Sequence, residues 1–207
     1  MNELFLIRHG EVIEAYKGVF AGRTDIELSE NGKKQAIATA KYLMSHSVSS
    51  VYASPMKRVR QTLQPFVELS GIKPIFLGEL VEIDFGEWTG LNFEEVANRF
   101  GVNAYSWLEQ IEAGRIDGAE TTEVLRRRVE PVLSRILIEN TQGNVAIFSH
   151  GGIIRVILSV LLDIPLVKLG KIGIDYCSVS KICVNGLSVS LRLLNYLPWK
   201  NNLLPYD

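Results

Sequence analysis

Leu4-Phe5-Leu6-Ile7-Arg8-His9-Gly10-Glu11 sets four apolar residues directly before two basic ones and a glycine. An apolar run this short predicts a fully buried β-strand, because a helix needs about ten residues or more. The same grammar recurs on either side of the chain's middle. Ser50–Ala53 leads into Ser54-Pro55-Met56-Lys57-Arg58, and Val145–Phe148 leads into Ser149-His150-Gly151-Gly152. Pro74–Leu77 reads as a further strand. Helical spacing of Ala36, Ile37, Ala40, Leu43 and Met44 predicts a helix over Glu30–Met44, capped by Ser29. Pro55 opens a second helix running to about Leu69. Others are expected over Asn92–Arg99, Ala104–Ala113 and Thr121–Glu139, the last kinked at Pro131, and over Gly152–Leu162, closed by Pro165. Ile172–Val184 and Leu187–Leu194 read as strands turned at Asn185-Gly186. Strands alternating with helices predict an α/β layered domain.

The chain has 207 residues, enough to bury a core without disulfide staples, and the reading is a single domain over 1–207. Lys+Arg 22 against Asp+Glu 23 leaves a net charge of −1, so no global basic field invites nucleic acid or an anionic membrane. No apolar stretch approaches a membrane span, and the first residues lack the marks of a signal peptide. Cys177 and Cys183, read on one strand, would stand about 20 Å apart, too far for a disulfide. Two buried thiols then fit a reducing, cytoplasmic setting. Neither has a His or Cys nearby at metal-ligand spacing.

If the strands run parallel, their carboxyl ends bring Arg8, His9, Arg58 and His150 to one crevice. That set suits a phosphate. Guanidinium forks bind phosphoryl oxygens in pairs, and a neutral imidazole can attack phosphorus. Positive neighbours disfavour the protonated imidazole, so the histidines should be neutral. The helix beginning near Gly152 would aim its positive end at the anion. Glu79, Glu82, Asp84 and Glu87 are the candidates for a general acid. No Gly-x-x-x-x-Gly-Lys-Ser/Thr loop occurs, which argues against a nucleoside-triphosphate enzyme.

Four motifs in order carry a resemblance. Leu6-Ile7-Arg8-His9-Gly10-Glu11, Ser54-x-x-x-Arg58-x-x-Gln61-Thr62, Glu82-x-Asp84-Phe85-Gly86-x-Trp88-x-Gly90 and Ser149-His150-Gly151-Gly152 resemble the signatures of the histidine phosphatase superfamily, also called phosphoglycerate-mutase-like. Gly22-Arg23-x-Asp25-x-x-Leu28-Ser29-x-x-Gly32 fits as well. The resemblance implies a three-layer α/β/α sandwich with a mostly parallel central sheet. It implies that His9 is the nucleophile, that Arg8, Arg58 and His150 hold the phosphoryl oxygens, and that Glu82 is the acid. It also implies substrate contacts at Gly151, Ala21 and Gly22, and no metal or cofactor.

The departures are informative. Val12 and Ala15 stand where many relatives carry polar residues, so a phosphate contact is missing or supplied elsewhere. Gly152 stands where mutases of the family often have Asn, and the chain is shorter than they are. Both favour a phosphatase. The early Gly-Arg-Thr-Asp and the Glu82–Leu91 loop look most like bacterial α-ribazole-5′-phosphate phosphatases of cobalamin assembly. The leading expectation is therefore a metal-independent phosphomonoesterase acting on a small-molecule monoester, α-ribazole 5′-phosphate first. A broad-specificity, sugar-phosphate or phosphoglycerate phosphatase or mutase is the alternative; a catalytically weak phospho-ligand-binding module is the reading from another class.

Several residues divide between site and scaffold. Arg155 reads as an ion-pair residue or a pocket contact, and Arg23 as a surface residue or a reader of a distal substrate group. Lys57, Arg60 and Arg126–Arg128 read as charges on solvated helix faces. Phe85, Trp88, Tyr105 and Trp107 line a pocket or pack a lid. Cys177–Val184 and Leu197–Tyr206 are open to internal packing or to a homodimer edge.

Overall fold

The computed structural model describes residues 2–186 and 188–200. Six strands form one sheet: β1 (Asn2–Arg8), β2 (Val48–Ala53), β3 (Ile75–Phe76), β4 (Asn144–Ser149), β5 (Val179–Asn185) and β6 (Ser188–Tyr196). Their order is β3-β2-β4-β1-β5-β6. The first four are parallel, β5 runs antiparallel to β1, and β6 antiparallel to β5. Helices α1 (Glu30–Met44), α2 (Lys57–Ser70), α3 (Phe93–Phe100), α4 (Trp107–Glu112), α5 (Thr122–Glu139) and α6 (Gly151–Leu162) complete the layers.

The continuous apolar run of β1 is explained by burial on both faces. Phe5 and Ile7 pack with Ala40 and Leu43 of α1 and with Val59, Leu63 and Phe66 of α2. Leu4 and Leu6 point the other way, into a cluster with Leu125, Val129 and Leu133 of α5 and Ile153, Ile154 and Ile157 of α6. Phe20, Phe85, Trp88, Val96 and Leu108 extend this second cluster past the sheet. The long connection between α2 and α5 is thereby anchored beside the carboxyl ends of the strands.

Helix α1 matches its expected span, with Ser29 Oγ accepting from Gly32 N–H. Several elements differ. Helix α2 starts at Lys57 rather than Pro55 and runs through Pro65, whereas α5 keeps its expected span, with Thr121 as N-cap and Pro131 inside it. The expected helix over Ala104–Ala113 divides into a 3₁₀ turn, Ala104–Ser106, and α4. The expected strand over Ile172–Val184 begins only at Val179. Cys177 has a φ of +52°, a left-handed residue that breaks the extended run. The break folds the chain over the end of β1, with Cys177 N–H donating to the His9 carbonyl and Arg8 N–H to the Ser178 carbonyl. Cys177 and Cys183 are buried and unpaired, but only Cys183 lies on a strand. Leu187, where the last strand was expected to start, and residues 201–206 of the C-terminal stretch lie outside the described residues.

Candidate active site

Arg8 and His9 leave β1, Ser54 leaves β2, and Ser149 and His150 leave β4. Because these strands are parallel, all five reach one end of the sheet. At that end lies a cavity of about 220 Å³ whose lining includes Arg8, His9, Arg58, Glu82, Gly151 and Arg155, while His150, Ser54 and Ser149 are fully buried and absent from the lining.

His9 is buried, and its Nδ1 lies 2.9 Å from the Gly10 carbonyl. A carbonyl only accepts, so Nδ1 carries the proton and Nε2 keeps its lone pair. His150 is held in the same tautomeric logic, mirrored. Arg58 Nε donates to His150 Nδ1 at 3.2 Å, so the ring proton sits on Nε2 and is given to Ser54 Oγ at 2.8 Å. The two rings meet edge to face, 5.3 Å between centroids.

Arg58 is 1% exposed. Its Nη atoms donate to the carbonyls of Thr24, at 2.7 Å, and Gly22, at 2.8 Å. Gly22 thus orients the arginine, and with Ala21 it also lines the cavity. Arg8 lies over the Tyr176 ring, 4.2 Å from its centroid, and its buried Nε has no hydrogen-bond partner. Arg155 donates to three carbonyls, those of Leu169, Gly151 and Ile172. None of the three guanidiniums has a carboxylate within ion-pair distance among the described residues. One buried and two half-buried cations without an ion pair, one of them holding a free donor, form a receptor for an anion.

Glu82 sits at the cavity edge with Oε2 accepting from Gly152 N–H at 3.3 Å and Oε1 from its neighbour Ile83 N–H. Glycine leaves room for it: a Cβ on Gly152 would come within 2.5 Å of Glu82 Oε1 and 2.6 Å of Ile83 Cδ1, so those side chains would have to shift. The carboxylate therefore rests on the N-terminus of α6, beside His150.

The Gly22–Gly32 motif braces the site. Asp25 Oδ1 accepts from Lys57 N–H at 2.7 Å, serving the first turn of α2, whose N-cap Met56 offers no side-chain acceptor. Arg23 pairs with Glu120 at 2.9 Å and is absent from the cavity lining, so it holds protein rather than reaching a ligand. Arg155 does both, binding backbone while lining the cavity. Of the four aromatics expected near the pocket, Phe85 and Trp107 line it. Trp88 is buried in the core, and Tyr105 is largely exposed against Phe93. Val12 lines the cavity, and Ala15 is exposed.

Two residues escaped the sequence reading. Thr62, quoted within a motif but given no role, accepts from Gly10 N–H at 2.8 Å and donates to the Arg58 carbonyl, tying both signatures together. Tyr176 lay within the expected strand; only its left-handed neighbour swings it over Arg8.

Burial, then the charges of Arg58 and Arg8, hold the His9 imidazole well below its usual range. Burial, then Arg58, His9 and Arg8, do the same to His150. Both rings are neutral at pH 7. As pH falls through about 6.5, the unfolded chain takes up two protons that the folded state refuses. The unfolded state then binds more protons, so stability falls with pH below that point, by up to about 1.4 kcal/mol per unit for each histidine. The urea midpoint should drop between pH 7 and pH 5, and more shallowly in His9→Gln/His150→Gln. Equal slopes in the two proteins would contradict neutral burial.

Among the described residues no group of three His, Cys, Asp or Glu side chains is placed to hold a metal ion. Among the described residues no helix is long and apolar enough to cross a membrane.

The sequence profile of the histidine phosphatase superfamily (branch 1) matches residues 4–196. Phosphoserine phosphatase 1 of Hydrogenobacter thermophilus is 31% identical over 182 residues, covering 88% of this chain and 86% of that protein. The adenosylcobalamin/alpha-ribazole phosphatase of Salmonella typhimurium is 26% identical, covering 93% and 95%. In structure, mycobacterial glucosyl-3-phosphoglycerate phosphatase in complex with VO3 superposes with a TM-score of 0.87 at 22% identity, covering 95% of this chain and 100% of that one.

Proposed function

Because the chain belongs to the histidine phosphatase superfamily (branch 1), we propose that it hydrolyses small phosphate monoesters through a phosphohistidine on His9. The observation that carries this reading is the His9 Nδ1 contact with the Gly10 carbonyl, which leaves an unprotonated Nε2 beside two unpaired arginines. The monoester dianion sits between Arg8 and Arg58, with the free Arg8 Nε donating to a phosphoryl oxygen. His150 lies against the same centre with Arg58 on its Nδ1. Nε2 of His9 attacks phosphorus, the bond to the leaving oxygen breaks, and protonated Glu82 gives that oxygen its proton. Water then attacks the phosphohistidine, Glu82 takes its proton, and inorganic phosphate leaves. The arginines stabilise the charge on the transferring group without a metal ion.

For the leaving group, the support is the cavity wall. Val19, Phe20, Phe85, Phe93 and Trp107 line it beyond the arginines, and Arg155 is occupied by carbonyls. An apolar aromatic group stacks there. This favours α-ribazole 5′-phosphate. Similarity to a phosphoserine phosphatase supports phosphoserine as the second reading. Phosphate release should be measured, with chelator present, for both compounds, phosphoglycerates, sugar phosphates and an aryl phosphate. The expected result is a kcat/KM for α-ribazole 5′-phosphate at least about tenfold above phosphoserine, the factor that roughly 1.4 kcal/mol of differential contact supplies. The reverse order would install phosphoserine, an isomerised ester as product would identify a mutase, and absence of turnover would leave a binding module.

A further inference from the structure

Arg128 stands on α5 in a run of three arginines that reads as solvated surface, yet its side chain is only 15% exposed. Its Nη1 donates to the carbonyls of Glu79 and Val81, both at 2.8 Å, the second being the residue before Glu82. Its Nε and Nη2 grip the two carboxylate oxygens of Glu120 at 3.0 and 2.7 Å. Glu120, in turn, accepts from Asp84 N–H at 3.0 Å, two residues after Glu82, and its own N–H donates to the Asp84 carbonyl. The backbone on either side of Glu82 is thus fixed by the Arg128 guanidinium and by the Glu120 carboxylate, which Arg23 also holds at 2.9 Å. Residues 82–84 lie between the 3₁₀ turns Gly78–Leu80 and Gly86–Trp88 and belong to no helix or strand, so their path is set by such contacts.

We propose that Arg128, through Glu120, is the positioning residue that sets the Glu82 carboxyl at proton-transfer distance from the leaving oxygen. The inference rests on Glu82 being the general acid. Neither Arg128 nor its hydrogen-bond partners Glu79, Val81 and Glu120 line the cavity. Its loss therefore acts on proton delivery and leaves His9 and the arginines in place. Displacing a catalytic group by about 1 Å costs on the order of 100-fold. That penalty falls on alkyl esters, whose leaving oxygen needs the proton, and spares aryl esters, which depart as stable aryl oxides.

The test is kcat/KM for an alkyl and an aryl phosphate in the wild type, Arg128→Lys, Glu120→Gln, Glu82→Gln and Glu82→Gln/Arg128→Lys. Arg128→Lys and Glu120→Gln should each lower alkyl turnover by about 10- to 100-fold, with the aryl ester within about threefold. The double variant should be no slower than Glu82→Gln alone, since a clamp without an acid has nothing left to position. Should Arg128→Lys unfold, Glu120→Gln answers the same question. Equal losses on both esters, or additive losses in the double variant, would overturn the clamp while leaving Glu82 as acid. A Glu82→Gln enzyme that slows both esters alike would remove the acid itself, and the clamp with it.

Discussion

His9→Ala should form no phosphoenzyme and should lose kcat/KM for every monoester by on the order of 10⁴-fold or more, the scale on which removing a nucleophile is felt. The loss is chemical because little of the fold depends on the ring. His9 is tied in by its backbone, its N–H donating to the Ser149 carbonyl and its carbonyl accepting from Cys177, while its ring packs against His150 and Tyr176. The imidazole makes one hydrogen bond, to Gly10. Quenching a reaction on phosphorus-labelled aryl phosphate with detergent at alkaline pH, where the P–N bond of phosphohistidine survives, and counting protein-bound label measures the intermediate directly. The wild type should carry label and His9→Ala none, with unfolding midpoints alike at pH 8. Label retained by His9→Ala would move the nucleophile elsewhere. His150 is the neighbour to test then, although its Nδ1 is occupied by Arg58 and its Nε2 by Ser54.

The parallel core was legible because its strands are short apolar runs ending in polar punctuation, and α1 because Ser29 and its spacing agree. The convergence of Arg8, His9, Arg58 and His150 followed from strand direction alone. What stayed hidden depends on contacts between distant segments. Nothing local marks Arg128 as different from Arg127, which pairs with Glu123 on an exposed face. Its burial exists only once residues 79–82 and 120 have docked against α5. Tyr176 was hidden for another reason. Its segment is β-rich in composition, and the left-handed Cys177 that redirects it is a conformation other residue types advertise far better. Asp25 shows a third kind of concealment, where a helix is capped from 32 residues away and no capping box precedes it.

Arg58→Met is expected to lower kcat/KM by about 10³-fold and to erase stabilisation by inorganic phosphate. Arg58 is buried near Arg8 without an ion pair. An oxyanion supplies the missing charge, so it binds the folded state and not the unfolded one. At about 100 times its dissociation constant such a ligand adds about 2.7 kcal/mol. In a chain of this size that raises Tm by about 5–10 °C. Methionine keeps much of the side-chain volume but none of the donors. It leaves His150 Nδ1 and the Thr24 and Gly22 carbonyls without Arg58, so the variant should also start from a lower Tm. Arg58 also lowers the His9 and His150 pKa values, so its removal should move both upward, visible in imidazole nitrogen shifts across an acid titration. Arg58→Lys separates charge from geometry: one ammonium restores the field on both rings, and with it part of the phosphate protection, but cannot reproduce the planar fork. Phosphate protection of equal size in the wild type and Arg58→Met would place the anion elsewhere and leave Arg58 as a brace for the Gly22–Thr24 turn.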